Sequence, residues 1–166
     1  MSTLDLFKRV KTFVFDMDGV LTDGKVLVLS GSQWVRNMHI RDGFGINHAA
    51  KSGYRIILIS GSESGPVKKR LQILGLKDIF MDVSNKKDRL EKCITKYNLD
   101  PNEILYMGDD TPDIDCMKIV GVSTCPADAI PDIKNIAKYI SPIKGGDGCV
   151  RDVIEKVLKL NGHWPE

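Results

Sequence analysis

The stretch TFVFDMDGVLTDG, residues 12–24, places two acids directly after an apolar run and decides how the rest of the chain is interpreted. The run TFVF is typical of a strand that is covered on both faces of a sheet. Asp16 ends this strand, and Asp18 follows with only Met17 between them. Two carboxylates about 4 Å apart repel by about 4 kcal/mol at an effective dielectric constant of about 20. A strand that ends on such a pair therefore indicates a site where a proton or a cation offsets the repulsion.

Further apolar runs alternate with amphipathic stretches along the chain. We predict strands at 12–16, 54–60, 103–109 and 120–124. We predict helices at 43–53, 64–75, 86–98, 111–121 and 150–162. Gly53 and Gly75 stand where helix C-termini favour glycine, and Pro112 falls in the first turn of its helix. The alternation predicts an α/β protein with a three-layer, Rossmann-like parallel sheet.

One segment breaks this alternation. KVLVLSGSQWVRNMHI, residues 25–40, predicts a β-hairpin that turns at Ser30-Gly31-Ser32 and is inserted directly after the first strand. Two interpretations of the hairpin are open: a plain edge hairpin, or an element that stands beside the carboxyl ends of the strands and contributes to the site. No linker rich in Pro or Gly interrupts the chain, so we expect a single domain spanning residues 1–166.

The composition is that of an ordinary globular protein, with 42% hydrophobic residues, 28% charged residues and a net charge of +2. Charges of both signs are interspersed without a basic stripe, so we expect no nucleic-acid partner. No apolar run approaches the roughly 20 residues that a membrane span needs, and the N-terminal sequence lacks signal-peptide features. We therefore expect a cytoplasmic protein without membrane contact. The cysteines lack CxxC spacing, so free buried thiols are favoured over disulfides at Cys93, Cys116, Cys125 and Cys149.

Polar residues close the main predicted strands. In an open α/β sheet, ligands bind beyond the carboxyl ends of the strands. The residues expected at this rim are Asp16, Ser60, Asp109 and Asp110, with Lys86 at the head of the helix before the third strand. One Asp, one Ser-Gly pair or one Lys alone would more often be a turn, a cap or a solvated residue. Their joint order along the chain predicts instead that they share one site.

Converging carboxylates at this rim predict a magnesium site. Mg²⁺ is a hard cation that accepts one or two carboxylates together with waters and phosphate oxygens. Neither His nor Cys accompanies the acids, which argues against zinc. Ser60-Gly61 ahead of a helix offers a hydroxyl and backbone N–H groups to a phosphate, and Lys86 adds a positive charge. The pattern predicts phosphoryl transfer, in which one Asp attacks phosphorus and a second acid protonates the leaving alcohol and later activates water.

These motifs resemble those of the haloacid dehalogenase superfamily of phosphatases. The likeness is carried by residues 16–24, Ser60-Gly61, Lys86 and Gly108-Asp109-Asp110. Only the hairpin separates the first motif from the first helix of the pattern, as in the subgroup that lacks a cap domain. Within that subgroup, VLTDG, IRDGFGI and GGDGCVRDVIEKVL resemble phosphatases of 3-deoxy-D-manno-octulosonate 8-phosphate and relatives that act on nine-carbon, sialic-acid-type 9-phosphates.

The resemblance implies a role for each residue of the motifs. Asp16 would be the nucleophile and a ligand of Mg²⁺. Asp18 would be the general acid and base and would give the metal its backbone carbonyl. Asp109 would complete the protein ligands of the metal, and Asp110 would support them. The phosphate would be held by Ser60, Gly61 and Lys86.

The resemblance also implies where the substrate binds and how the chain assembles. The residues that would face the sugar acid are His39, Arg41, Asp42 and Gly43, with Arg70 near its carboxylate. A homotetramer is implied, in which the hairpins pack together and a neighbouring subunit covers each open site.

Two departures from the family pattern leave the substrate open. The octulosonate enzymes usually have Arg after the Ser-Gly motif and the nine-carbon relatives can have Glu, whereas this chain has Ser62. The late glycine motif is often GGRG, and Asp147 stands here in place of the Arg. A cation for the sugar acid could be missing, or it could come from Lys68, Lys69 or Lys144. The resemblance implies 3-deoxy-D-manno-octulosonate 8-phosphate as the substrate, within lipopolysaccharide biosynthesis, with a nine-carbon 9-phosphate as the alternative.

Two other classes of protein share part of this pattern. A phosphorylation-controlled receiver domain also gathers acids and a Lys at strand ends, but its phosphorylated Asp lies mid-chain and its Lys comes late. Here the DxD pair comes first, and Lys86 precedes the last acids. A non-catalytic module that oligomerises a sugar-nucleotide enzyme is the second alternative. All four motifs are present in this chain, which favours an enzyme.

Overall fold

The computed structural model describes residues 2–165, and the centre of the molecule is a parallel sheet. In chain order the strands are β1 (Thr12–Phe15), β2 (Leu27–Leu29), β3 (Gln33–Val35), β4 (Arg55–Ile59), β5 (Asp78–Phe80), β6 (Ile104–Met107), β7 (Val122–Cys125) and β8 (Tyr139–Ile140). Six of them form the sheet in the order β5-β4-β1-β6-β7-β8, with every pair parallel. The remaining two, β2 and β3, pair with each other as an antiparallel hairpin.

Helices cover both faces of the sheet. Their bounds are α1 (Thr3–Lys8), α2 (Ile40–Lys51), α3 (Gly65–Ile73), α4 (Lys86–Tyr97), α5 (Ile114–Lys118), α6 (Pro131–Ile136) and α7 (Cys149–Leu160). Apolar side chains of α1, α2, α3 and α7 pack on one face, and those of α4, α5 and α6 pack on the other. This arrangement confirms the predicted three-layer α/β fold with a hairpin inserted after the first strand. Within residues 2–165, no helix is both long enough and apolar enough to cross a membrane.

The double covering explains why the central strands are apolar at successive positions. In β1, Phe13 and Phe15 belong to the core on the α7 side, whereas Val14 belongs to the core on the α4 side. In β6, Met107 faces the first core and Tyr106 the second. Full burial of such side chains contributes about 1.5–3 kcal/mol each, which holds the strand ends in fixed positions. The predicted free thiols lie in these same two cores, since all four cysteines are buried and unpaired.

The structure differs from the sequence prediction mainly at the edges. The strands β5 and β8 and the helices α1 and α6 were not predicted, because elements of two to six residues show too little periodicity. The helix expected at 43–53 begins instead at Ile40, because the His39 side chain accepts a hydrogen bond from the backbone N–H of Arg41 and caps it. The helix expected at 111–121 is divided into a tight turn at Thr111–Asp113 and the short helix α5.

The hairpin projects from the body of the molecule. Apolar side chains of its two strands are exposed, with Leu27, Val28 and Trp34 at 61%, 63% and 59% of their maximum. Its turn matches the predicted Ser30-Gly31-Ser32, where Gly31 and Ser32 have φ angles of 78° and 60°. The base of the hairpin is tied to the loop after β1 by a backbone bridge between Thr22 and Met38. The hairpin therefore stands next to the first acidic motif.

Candidate active site

The carboxyl ends of three neighbouring strands deliver polar residues to one cavity. β1 lies between β4 and β6 in register, with Phe15 opposite both Leu58 and Met107. The residues that follow these strands therefore emerge side by side. The cavity there has a volume of about 570 Å³, within the range of small-molecule sites. Its walls include every motif residue predicted for catalysis, metal and phosphate: Asp16, Asp18, Ser60, Gly61, Lys86, Asp109 and Asp110.

A buried ion-pair network lies at the base of the cavity. The Lys86 ammonium, on the first turn of α4, is 2.8 Å from Asp16 Oδ1 and 2.8 Å from Asp113 Oδ1. Only 6% of the Lys86 side chain is exposed. Burial alone would lower the pKa of Lys86, but the charges of Asp16 and Asp113 outweigh it and raise the pKa above its ordinary value. Lys86 therefore carries its charge at the place where a phosphate would bind.

Asp113 organises this network, and it was not among the residues predicted from the sequence. Its Oδ1 accepts hydrogen bonds from Lys86 and from the buried hydroxyl of Tyr106, and its Oδ2 accepts from the backbone N–H of Asp109 at 3.1 Å. A Cβ at Gly108 would overlap the Asp113 side chain, so glycine is required for this approach. One signal was available: Asp113 follows Asp109 by four residues across Pro112, about one helical turn.

Three carboxylates converge in a way that suits a divalent cation. Asp16, Asp109 and Asp113 each offer an oxygen, and these oxygens lie within 4.8 Å of one another. Burial and the neighbouring carboxylates raise the pKa of Asp109, and burial together with Asp113 raises that of Asp16. Among residues 2–165, Asp109 Oδ1 is one of the few buried side-chain oxygens without a hydrogen-bond partner.

The close approach of Asp109 depends on Gly19, which has a φ angle of 85° and whose absent Cβ would overlap the Asp109 carboxylate. Because Asp113 already accepts four hydrogen bonds, Asp16 and Asp109 are better placed than Asp113 to bind a cation. The donor set consists of hard oxygen ligands, which fits Mg²⁺.

Asp18 lies in a different environment only two residues from Asp16. Its carboxylate accepts hydrogen bonds from Arg36 Nε at 2.8 Å, from Ser62 Oγ at 2.6 Å and from Thr22 Oγ1 at 3.2 Å. Burial acts to raise the pKa of Asp18, but the hydrogen bonds from Arg36 and Ser62 outweigh it and lower the pKa below its ordinary value. The side chain of Asp18 keeps 32% exposure to the cavity.

The remaining motif residues take up positions at the rim. The Ser60 hydroxyl donates to the carbonyl of Ser62 at 2.9 Å and accepts from the Ser62 N–H at 3.1 Å, which shapes the loop before α3. The helix itself starts only after Ser64, whose side chain accepts from Val67 N–H. Asp110 is exposed and caps the turn Thr111–Asp113, so its side chain lies outside the carboxylate cluster.

The residues predicted to face a sugar acid are not brought into this cavity. Within the part of the chain that the structure describes, its walls do not include His39, Arg41, Asp42, Gly43 or Arg70.

Contacts within the chain's own fold account for several of these positions. Asp42 is buried and accepts a hydrogen bond at 2.7 Å from the backbone N–H of Arg151, in the first turn of α7. It therefore caps a helix that begins after Gly148 without a side-chain cap of its own. Gly43 is buried against the guanidinium of Arg70 and the side chain of Leu74.

The cations near the cavity also differ from those expected. The sequence offers three lysines as contacts for a sugar acid, and none of the three is among the described residues that line the cavity: Lys68, Lys69 and Lys144. Lys87 does line it, and its ammonium is 3.9 Å from its nearest carboxylate partner, Glu91. No sequence pattern favours Lys87, because the direction of its side chain depends on where α4 starts.

Comparison with known proteins agrees with this geometry. Residues 74–153 match the model of the haloacid dehalogenase-like hydrolases. The chain is 31% identical over 159 residues to the 3-deoxy-D-manno-octulosonate 8-phosphate phosphatase KdsC of Escherichia coli (strain K12), covering 96% of this chain and 85% of the relative.

Solved structures show the same fold. The phosphatase of that name from Yersinia pestis superposes with a TM-score of 0.94 at 28% identity, covering 96% of this chain and 86% of that one. The enzyme from Moraxella catarrhalis, crystallised with a magnesium ion, a phosphate ion and KDO, superposes with a TM-score of 0.91 at 28% identity, covering 95% and 90%. With its acids and lysine gathered at the strand ends, the chain belongs to the haloacid dehalogenase-like hydrolases and is a phosphatase.

Proposed function

We propose that this protein is a Mg²⁺-dependent phosphomonoester hydrolase that acts through an aspartyl-phosphate on Asp16. The observation that carries the proposal is the pairing of Asp16 with the buried ammonium of Lys86, next to an Asp109 oxygen that lacks a partner within residues 2–165. Phosphoryl transfer of this kind requires a nucleophilic carboxylate, a fixed positive charge and a carboxylate oxygen that is free to bind a metal ion. Asp16 and Asp109, together with the backbone carbonyl of Asp18, would hold the ion.

The chemistry proceeds in two half-reactions. An oxygen of Asp16 attacks phosphorus while the bond from phosphorus to the alcohol breaks. The negative charge of the bound phosphate acts to raise the pKa of Asp18, against the hydrogen bonds that lower it in the free site, and Asp18 in its protonated form gives its proton to the departing alcohol oxygen. Asp18 then takes a proton from a water molecule as the water oxygen attacks phosphorus and the bond to Asp16 breaks. Lys86 stabilises the negative charge on the phosphoryl oxygens in both steps, aided by the Ser60-Gly61 loop. Bound Mg²⁺ neutralises charge on the same oxygens.

Removal and return of the metal test this proposal. Phosphate release from p-nitrophenyl phosphate should fall at least about 10²-fold after treatment with EDTA, because the carboxylates would then repel the phosphate without a cation to neutralise both. Addition of Mg²⁺ should restore the rate. Full activity in the presence of EDTA would contradict the role proposed for the acids.

The substrate we propose is a sugar-acid phosphate, with 3-deoxy-D-manno-octulosonate 8-phosphate first and a nine-carbon keto-deoxy acid 9-phosphate second. The first is supported by the substrate named for the relatives and by a cavity of about 570 Å³. The second stays open because Ser62 stands where the eight-carbon enzymes usually have Arg, and Asp147 stands where the late glycine motif of the family often has Arg. The Ser62 side chain carries no positive charge for the sugar acid, and its hydroxyl already donates to Asp18.

A panel of kcat/KM values separates these substrates. The panel comprises both sugar-acid phosphates and simple hexose phosphates. We expect at least about a tenfold preference for one sugar-acid phosphate over the hexose phosphates, equivalent to about 1.4 kcal/mol in transition-state binding. Equal values across the panel would contradict the proposed substrate class.

We propose a homotetramer assembled through the hairpins, located in the cytoplasm. The support is the exposed apolar surface of the hairpin, which includes Leu27, Val28 and Trp34. Residues 39–43 do not line the cavity of their own chain. A sugar acid bound in that cavity would therefore contact this segment only if a neighbouring subunit supplied it. Light scattering at micromolar concentration should give four times the chain mass, and a monomer would contradict this proposal.

A further inference from the structure

The base of the hairpin supplies an arginine to the site that neither the motifs nor the predicted roles include. Arg36 follows β3, and its side chain is only 4% exposed. Its Nε donates to Asp18 Oδ1 at 2.8 Å and its Nη2 donates to Asp18 Oδ2 at 3.3 Å. Such a two-point contact fixes the plane of a carboxylate as well as its position.

Two hydroxyls complete the hold on Asp18. Ser62 Oγ donates to Oδ2 at 2.6 Å, and Thr22 Oγ1 donates to Oδ1 at 3.2 Å. Arg36 also donates to Ser62 Oγ at 3.4 Å, so the arginine and the loop after β4 form one network around the carboxylate. In the free site each oxygen of Asp18 therefore accepts one hydrogen bond from Arg36 and one from a hydroxyl. For Asp18 to carry a proton, one of these hydroxyls must rotate away from it, and the two bonds from Arg36 still hold the carboxyl group in place.

Arg36 contacts Asp18 without entering the cavity. The walls of the cavity, as far as residues 2–165 define them, include Asp18 and Ser62 but not Arg36. Lys86, by contrast, does line the cavity, where it contacts Asp16 and Asp113. The position of Arg36 is thus suited to orienting a side chain and not to binding the phosphate itself.

We infer that Arg36 is a positioning residue, which orients the Asp18 carboxylate toward the oxygen of the leaving alcohol. The inference rests on the proposed function, in which Asp18 gives a proton to that oxygen. General acid catalysis requires the donor to lie within hydrogen-bond reach in a fixed direction, and misplacement by about 1 Å can cost about 10²-fold in rate. The hairpin therefore contributes to catalysis through the direction of one carboxylate.

The dependence of the rate on the leaving group distinguishes this role from others. An alkyl alcohol needs a proton as it leaves, whereas p-nitrophenolate leaves without one. The value of kcat/KM reports only the steps up to release of the alcohol, so the later attack of water does not contribute. The two substrates compared are p-nitrophenyl phosphate and 3-deoxy-D-manno-octulosonate 8-phosphate, the latter replaced by the nine-carbon 9-phosphate if the substrate panel favours it.

Three variants are compared with the parent enzyme. Arg36→Met should lower kcat/KM about 30- to 100-fold for the alkyl substrate and less than about threefold for p-nitrophenyl phosphate, since general acid catalysis contributes about 10²-fold or more. Arg36→Lys keeps the charge without the two-point contact and should lower the alkyl value about tenfold. Lys25→Met removes a positive charge from the exposed start of the same hairpin segment and should leave both values unchanged.

A double mutant provides the second measurement. If Arg36 acts through Asp18, Arg36→Met should cause no further loss on the alkyl substrate in an Asp18→Asn background. Equal losses on the two substrates, no loss on either, or a full additional loss in the Asp18→Asn background would each overturn the inference. If Arg36→Met does not fold, Arg36→Lys in both backgrounds decides the question. Failure of the parent enzyme to hydrolyse either ester would instead refute the proposed function, and the inference with it.

Discussion

Two buried carboxylates in this molecule can be compared, one at the ends of the strands and one at the N-terminus of α7. Asp16 is 6% exposed and Asp42 is 1% exposed. Burial is the main cause that raises the pKa of each above its ordinary value. By burial and titration alone, the two groups are alike.

Their neighbours separate them. Asp16 contacts the ammonium of Lys86 and opens onto a cavity that it shares with Asp109. Asp42 accepts a hydrogen bond from the backbone N–H of Arg151, while the Arg151 guanidinium itself pairs with Glu155. A raised pKa therefore does not identify a catalytic carboxylate unless a cavity and a charged partner accompany it. The first carboxylate has the surroundings of a nucleophile, and the second has those of a helix cap.

The largest expected effect sets these two acids directly against each other. Asp16→Asn should lower kcat for p-nitrophenyl phosphate at least about 10³-fold, because the amide cannot form the aspartyl-phosphate. Asp42→Asn keeps an acceptor for the Arg151 N–H and should retain kcat within about threefold. Initial rates measured at saturating Mg²⁺ check both values, with circular dichroism to establish that each variant folds. Comparable losses of kcat in the two variants would mean that the surroundings of Asp16 and Asp42 do not distinguish a catalytic carboxylate from one that caps a helix.

A smaller effect is expected within the acidic motif itself. Asp113→Asn should lower kcat/KM about 10- to 100-fold, because it weakens the hold on Lys86 and the backbone of Asp109, and losses of this size are usual for groups that orient metal ligands. Asp110→Asn is the matched control, since Asp110 is exposed and caps the next turn, and it should change kcat/KM less than about threefold. A titration of activity with Mg²⁺ should show weaker metal binding in Asp113→Asn alone. The reverse order of effects would restore Asp110 to the supporting role implied by the family resemblance.

The different surroundings of these acids show how much of the site can be predicted from the sequence. The parallel sheet brings the ends of β1, β4 and β6 together, so residues that directly follow apolar runs can be assigned to one cavity from the sequence pattern alone. Asp16, Lys86 and Asp109 were predicted to share one site in this way, and they do line the same cavity. The fold followed from the same alternation of apolar and amphipathic segments.

Contacts between distant or irregular segments could not be predicted. Arg36 reaches Asp18 from a hairpin whose orientation no local periodicity fixes. Asp42 and Arg151 are 109 residues apart, and nothing in the local sequence of either indicates that one caps the helix of the other. The sequence pattern places Asp113 in a regular helix, whereas the turn at Thr111–Asp113 directs its side chain back to Lys86.

The last expected effect concerns stability instead of activity and separates the role of the cap from that of the catalytic site. Burial raises the pKa of Asp42 to about 6, against the opposing influence of the Arg151 N–H and the charges of His39 and Arg151, and with a smaller contribution from Asp147. The folded protein therefore holds this proton more tightly than the unfolded chain does. The resulting contribution to the free energy of unfolding is fully present below pH about 4 and is lost as pH rises through about 6.

The difference in unfolding free energy between the parent and Asp42→Asn measures this contribution, because Asn carries no titrating proton. That difference should shift by about 3 kcal/mol in favour of the variant between pH about 4 and pH about 8, from a change of about two pKa units at about 1.4 kcal/mol each. Urea unfolding at both pH values, in buffers of equal ionic strength, provides the measurement. A difference that stays constant with pH would mean that Asp42 is not held in its buried position at the start of α7. Asp16 and Asp42 would then differ in solvent exposure and could not be compared as two buried carboxylates.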